Sequence, residues 1–247
     1  ARSVAYEFGV DEAGRGPLAG PVVCAACYLP PGTALDEVTD SKKIKTEEAR
    51  EAVYAALVAT PGVRFAVAKS EPALIDDINI LQATLAAMRL AADALCRKLS
   101  GKGDKRDGDV LSCESSDTPA DDLDGDFLAL VDGNHDPWKK RPVAGLVSRA
   151  IVGGDATVLS ISAASVIAKV TRDRIMNDLD KQHPAYDFAK HKGYGTVAHR
   201  RAIIEIGWIP GVHRVSYDPV KSILAAERDD PPPPPSLKKG AKRQKRT

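Results

Sequence analysis

The sequence predicts an α/β fold, a sheet of apolar strands covered by amphipathic helices, and three observations carry that expectation. Short apolar runs alternate with longer helical patterns along the 247 residues. Three of those runs end in an acid beside glycine or in a glycine turn: Asp11-Glu12 before Gly14, Asp132-Gly133, and Gly154-Asp155. Strand ends are where an α/β sheet places its chemistry. A hydrophobic content of 43% in a chain of this length supplies one large core, with room for a small appendage.

Taken in order, Val4–Val10 and Val22–Leu29 read as strands joined by the turn Ala13-Gly14-Arg15-Gly16-Pro17, and Pro30-Pro31-Gly32 ends the second. Asp40-Ser41-Lys42-Lys43 falls in a loop. A helix follows that Thr46 can cap, with Ala49, Val53, Ala56 and Leu57 on its apolar face and Thr60-Pro61-Gly62 to stop it. Val63–Ala68 is a third strand. Leu81, Leu85, Met88, Ala92, Leu95 and Leu99 recur in steps of four and three, the buried stripe of a long helix. Ser100 to Asp126 loses all periodicity and reads as a flexible insertion. Phe127–Val131 is a buried strand, and Ala150-Ile151-Val152 a shorter one. Ser162 to Lys181 is helical until His183-Pro184 breaks it. The loop Lys190–Gly195 leads to a helix through Ile206 stopped by Gly207, and Asp218-Pro219 starts a last short helix. One folded domain over residues 1–228 is expected, its C-terminal part (about 183–228) helical. Residues 229–247 form a proline-rich, basic tail.

The net charge of +1 hides two opposed blocks. Pro231 to Thr247 holds six basic residues and no acid, whereas Ser100 to Asp126 holds nine acids against three basic residues. The tail suits either salt-sensitive nucleic-acid affinity or a nuclear-import signal. Cys24, Cys27, Cys96 and Cys113 make no disulfide framework for a chain this size, which fits a reducing, intracellular setting. Cys24 and Cys27 lie at i, i+3 in a strand and should face opposite ways. No apolar run reaches the ~20 residues of a membrane helix, and no signal-peptide pattern is visible.

The chemistry lies in the acids. Neighbouring strand residues point to opposite faces, so Asp11 and Glu12 share a face only if their strand ends there. If the three acid-tipped strands lie side by side, Asp11, Glu12, Asp132 and Asp155 meet at one edge. Like charges so placed raise one another's pKa unless a cation neutralises them. Two divalent ions about 3.5–4 Å apart can then activate a water and stabilise a leaving oxygen in phosphodiester cleavage. A charged turn is the ordinary reading of any one of these acids; recurrence at three strand ends favours the metal reading.

Asp11-Glu12-Ala13-Gly14-Arg15-Gly16-Pro17, Asp40-Ser41-Lys42-Lys43, Asp132-Gly133-Asn134, Gly154-Asp155, Ser162–Lys169 with Arg172-Asp173, and His191-Lys192-Gly193-Tyr194 together resemble the ordered motif set of type 2 ribonuclease H, in its single-chain bacterial form. The similarity runs from about Val4 to Leu224. It implies a ribonuclease H-like mixed sheet flanked by helices, with cleavage of the RNA strand of RNA/DNA hybrids. It also implies incision 5′ of single ribonucleotides in duplex DNA, leaving 3′-hydroxyl and 5′-phosphate ends, in ribonucleotide and primer removal. By motif match Asp11, Glu12, Asp132 and Asp155 would hold two Mg²⁺ or Mn²⁺ ions. Gly14, Arg15 and Gly16 would recognise the 2′-hydroxyl and junction phosphate through backbone groups, and Tyr194 would pack on the following deoxyribose. Ser41 and Lys42 match a phosphate-contacting loop. Lys169, mid-helix, either snorkels or meets the acidic site as a substrate contact.

The expected partner is nucleic acid, with no membrane, and the protein a monomer. Its compartment would be the cytoplasm in a bacterium, the nucleus or mitochondrion in a eukaryote. His191, His199 and His213 fit no metal spacing, and His191 reads as a surface residue rather than a substrate contact. Where the family often has lysine before its Gly-Asp, this chain has Gly153, which removes a local positive charge without removing a ligand. The alternative reading is a non-catalytic hybrid-binding protein that keeps the fold; it would most simply show a lost carboxylate, and none is lost.

Overall fold

Six strands form one mixed sheet in the computed structural model, which describes residues 4–33, 46–102, 109–115, 123 and 125–229. The strands are β1 (Tyr6–Ala13), β2 (Val22–Tyr28), β3 (Arg64–Ser70), β4 (Val110–Cys113), β5 (Phe127–Asp132) and β6 (Leu146–Ile151), in the order β4-β3-β2-β1-β5-β6. The pairs β1–β2 and β2–β3 are antiparallel; β3–β4, β1–β5 and β5–β6 are parallel. The helices are α1 (Glu47–Ala59), α2 (Pro72–Ile78), α3 (Ile80–Leu99), α4 (Leu159–Gln182), α5 (Phe188–His191), α6 (Val197–Ile206) and α7 (Val220–Asp229).

The period-two pattern of the central strands sorts the core into two layers. Cys24 and Ala26 of β2 join Phe8, Val10 and the α3 residues Ala87, Ala91 and Leu95 on one face. Val23, Ala25 and Cys27 join α1 and α4 on the other, against Val53, Leu57, Ala164 and Ile167. Cys24 and Cys27 therefore do face opposite ways, and all four cysteines are buried and outside any disulfide. Small residues let α4 press onto the sheet. A Cβ at Gly9 would lie 2.1 Å from the Ser160 carbonyl carbon, so only glycine admits α4 at this height. A third cluster gathers Leu18, Met176, Phe188, Ile203 and Val220, binding the C-terminal helices to the turn after β1.

Thr46 caps α1 as expected, its hydroxyl accepting from the Ala49 N–H at 3.1 Å. Besides shifted bounds for β1 and β6 and the short helix α5, two elements were not expected. Within the stretch read as a structureless insertion, Val110–Cys113 adds the edge strand β4; four residues are too few for a periodic signal, and pairing with β3 supplies the order. The short helix α2, opened by Pro72, also lacked a long enough stripe to be read. The Asp40–Lys43 loop, with Ser41 and Lys42, lies outside the described residues, as do residues 230–247. Among the described residues no helix is long and apolar enough to cross a membrane.

Candidate active site

β1 runs on through Ala13, so the strand does not end at the acid pair and the expected shared face is not formed. Gly9 faces α4, whereas Phe8 and Val10 pack toward α3. Alternation then sends Asp11 to the α4 side and Glu12 to the α3 side. Accordingly Ser165 of α4 lies beside Asp11 and favours its charged form. Glu12 instead lines a cleft of about 90 Å³ with Arg15, Asp132 and His135, backed by Leu85 and Met88 of α3. The two carboxylates flank the strand from opposite sides.

Asp132 sits at the end of β5, one step past the Val10–Val131 pairing, which sets it beside Asp11. Leu128 and Leu130 turn toward Ile161 of α4, so Asp132 turns the same way. Asp155 lies in a single 3₁₀ turn, Gly154–Ala156, just beyond β6, and its N–H donates to Asp132 Oδ1 at 3.3 Å. The Ser162 hydroxyl donates to the Asp155 carbonyl and ties that turn to α4. The last residues of β1, the end of β5 and the turn after β6 thus bring all four acids to one edge of the sheet.

Asp11 is only 5% exposed. Burial, then the charge of Glu12, push its carboxyl up to about 8; Asp132 adds to the rise, while Ser165 and the Glu12 N–H (2.7 Å) oppose it. Glu12 is raised as well, first by burial, against the pull of Arg15 at 3.4 Å. This donor set fits a hard divalent cation: it is all oxygen, Asp11, Glu12 and Asp132 repel one another, and Arg15 offers Glu12 partial relief. Among the described residues no three such groups are yet close enough to cage an ion.

Beside the acids, the Gly14–Gly16 turn and Tyr194 are brought together. A Cβ at Gly16 would lie 3.7 Å from Tyr194 Cε1, and Tyr194 is 47% exposed. The Leu18 N–H donates to the Gly193 carbonyl at 2.8 Å, pinning one loop to the other. Lys169 meets Asp173, four residues along α4, at 2.5 Å rather than the acid cluster. Its pKa is lowered, by burial before anything else.

His191 is not a surface residue: it is buried, and its carbonyl accepts from the Tyr194 N–H at 2.9 Å. Its ring stacks on His199, centroids 4.4 Å apart, and its Nδ1 accepts from the Gly193 N–H. Backbone groups dictate neutral tautomers for all three histidines. His191 Nε2 donates to the Tyr186 carbonyl (2.7 Å) and His199 Nδ1 to the Tyr194 carbonyl (2.9 Å). His213 Nδ1 accepts from the Ile209 N–H, which leaves its Nε2–H to donate to His199 Nε2 at 3.1 Å.

Sequence reasoning included Ser165 and Arg172 in the α4 motif without giving either a role, and missed His135, Arg214 and Tyr217. Arg172, 1% exposed, donates to the carbonyls of Ala19, Pro21 and Lys192. The one available signal was an arginine set among the small and apolar residues of α4. Nothing in the sequence pattern marked Arg214 or Tyr217, whose partners lie about two hundred residues away.

Acids gathered at one edge of a mixed sheet, an oxygen-only donor set and an exposed tyrosine beside a glycine-rich turn define an α/β protein with a candidate site for hydrolytic chemistry on a phosphodiester. The Ribonuclease HII family model matches residues 8–101 and 130–220. Ribonuclease HII of Shewanella oneidensis is 44% identical over 222 residues, covering 90% of this chain and 92% of that protein. Among solved structures, ribonuclease H2 from Pyrococcus horikoshii superposes with a TM-score of 0.61 at 22% identity, over 91% of this chain and 100% of that one. Bst-RNase HIII in complex with Mn²⁺ gives 0.61 at 16% identity, over 91% and 70%. At those identities the superpositions speak for the fold alone. The chain belongs to the ribonuclease HII family, and so is a ribonuclease H that acts on RNA/DNA hybrids.

Proposed function

We propose that this enzyme cleaves the RNA strand of RNA/DNA hybrids and also incises 5′ of single ribonucleotides in duplex DNA, leaving 3′-hydroxyl and 5′-phosphate ends. Its role would be ribonucleotide and RNA-primer removal during replication and repair, inside the cell and as a monomer. Asp11, Glu12, Asp132 and Asp155 would hold two Mg²⁺ or Mn²⁺ ions; a solved relative of the same fold is a Mn²⁺ complex. When bound, the ions supply an activated water and charge stabilisation at the leaving oxygen.

The chain's own residues do the selecting. The observation that carries this reading is the closeness of Gly16 to Tyr194, where an added Cβ would touch the ring at 3.7 Å, in the turn that follows the acid pair of β1. A backbone turn can reach a 2′-hydroxyl, the group that separates RNA from DNA, and an aromatic face can seat the neighbouring sugar. Arg15 suits the junction phosphate, with Ser41 and Lys42 assigned to a further phosphate. Lys169, held by Asp173 in the free protein, reaches substrate only by exchanging that partner. A groove of about 470 Å³ beside the acid cleft carries Lys139, Lys140 and Arg141 and offers positive charge for a duplex backbone.

The test is a DNA duplex with one ribonucleotide in Mg²⁺, cut by the parent enzyme, by Asp132→Asn, and set beside an all-DNA control. Incision 5′ of the ribonucleotide by the parent alone, with a loss of at least about 10³-fold in the variant, is the expected result. Cutting of all-DNA would overturn the role given to the Gly14–Gly16 turn and Tyr194. Binding without cutting, in Mn²⁺ as well, would favour a hybrid-binding protein that keeps the fold.

A further inference from the structure

Arg214, on the segment between α6 and α7, is fully buried. Its guanidinium is spent on backbone oxygens of the turn after β1. Nη1 donates to the Arg15 carbonyl at 2.9 Å, Nη2 to those of Gly14 at 2.6 Å and Gly20 at 2.8 Å, and Nε to Gly20 at 3.1 Å. The Tyr217 hydroxyl donates to the same Arg15 carbonyl at 3.0 Å, and its ring centroid lies 5.2 Å from the guanidinium carbon. The segment is itself anchored. Asp76 of α2 accepts from the Val215 and Ser216 N–H groups, both at 2.9 Å, and His213 bridges to Ala19.

A trans peptide points its carbonyl and its N–H in opposite directions. Turning the Gly14 and Arg15 carbonyls inward onto Arg214 therefore aims the Arg15 and Gly16 N–H groups away from it, and both residues are exposed. Hydrogen bonds from a cation to a carbonyl also polarise the peptide group and strengthen its N–H as a donor. The Arg15–Gly16 peptide receives two hydrogen bonds, one from the Arg214 cation and one from the neutral Tyr217 hydroxyl.

We propose that Arg214 and Tyr217 are positioning residues that set the aim and donor strength of the Arg15 and Gly16 amides, making the turn a cradle for a ribose 2′-hydroxyl and its adjoining phosphate. This rests on the proposed function and deepens it: the C-terminal segment, which touches no substrate, is the back plate of the ribose reader.

The experiment compares the parent with Tyr217→Phe and Arg214→Lys on a duplex bearing one ribonucleotide, well below the measured unfolding midpoint of each. Alongside it, the amide resonance of Gly16 is followed in the substrate-free proteins. Tyr217→Phe keeps the ring and the fold and loses one hydrogen bond. KM should rise about fivefold at nearly unchanged kcat, and the Gly16 resonance should move. Arg214→Lys, which cannot span three carbonyls, should lose roughly tenfold or more in kcat/KM if it folds. A Tyr217→Phe enzyme with the parent's KM and an unmoved Gly16 resonance overturns the proposal, even if its unfolding midpoint falls. If the parent itself leaves the ribonucleotide uncut, the functional reading fails, while the Gly16 resonance still decides whether Tyr217 sets the turn.

Discussion

Asp11 illustrates how a single side chain trades stability for chemistry. Its folded pKa of about 8 against an ordinary 3.8 means that, between those values, the folded protein keeps a proton the unfolded chain has released. Stability without metal therefore falls as pH rises through that window, and the cost is complete above it. In chelator at pH 8, Asp11→Asn should resist urea better than the parent by about 1–3 kcal/mol, with the advantage fading toward pH 4, and should be inactive. A variant no more stable than the parent would mean that the carboxylate is already compensated. His199 and His213 work in the opposite direction. Burial lowers both to about 4, His213 being lowered further by His199, so from pH 6.5 down to 4 the unfolded chain binds protons that the folded one refuses. Their stabilising share is whole above pH 6.5 and lost on acidification. Unfolding free energies from urea titration should thus drop by on the order of 2 kcal/mol over that range. His213→Gln, which can still accept from Ile209 N–H, should flatten the drop.

At the scale of elements, the site depends on how closely α4 lies on β1. Gly9→Ala places a methyl on the Ser160 backbone, which cannot yield as a flexible side chain would. A loss of about 3 kcal/mol is expected in chemical denaturation, together with weakened activity as Ser165 leaves Asp11; parent-like stability would show that α4 sits higher than described. The same elements mark what was legible in the sequence. The alternation of β2, the stripe of α3 and the acid-tipped turns after β5 and β6 were readable because each is a local pattern with a fixed period or a punctuating glycine. The strand length of β1 was not, because Asp11-Glu12-Ala13 looks like a turn until β2 pairs with it as far as Ala13 and Val23. β4 was hidden for a similar reason: its order comes from β3. The buried arginines and the histidine stack were illegible because their partners are main-chain atoms, which carry no residue type to recognise.

On the scale of the whole molecule, charge is divided between ends. Six basic residues follow Pro231, and counterion release makes such a segment's contribution strongly salt dependent. Removal of residues 231–247 should weaken duplex binding at low salt and leave saturated turnover unchanged; a fall in saturated turnover would sink that division of labour. The site is spread just as widely. Its acids come from β1, β5 and the turn after β6, and the turn after β1 is braced by residues near position 215. A ribosome delivers these parts at opposite ends of its work. Gly14 and Arg15 emerge early and wait for Arg214 and Tyr217, some two hundred residues later, before their carbonyls find a partner. If the turn reads ribose as proposed, the unfinished polypeptide carries the Arg15 and Gly16 amides without the two residues that aim them. The nuclease is armed last, once synthesis has passed the point at which the chain can close on itself.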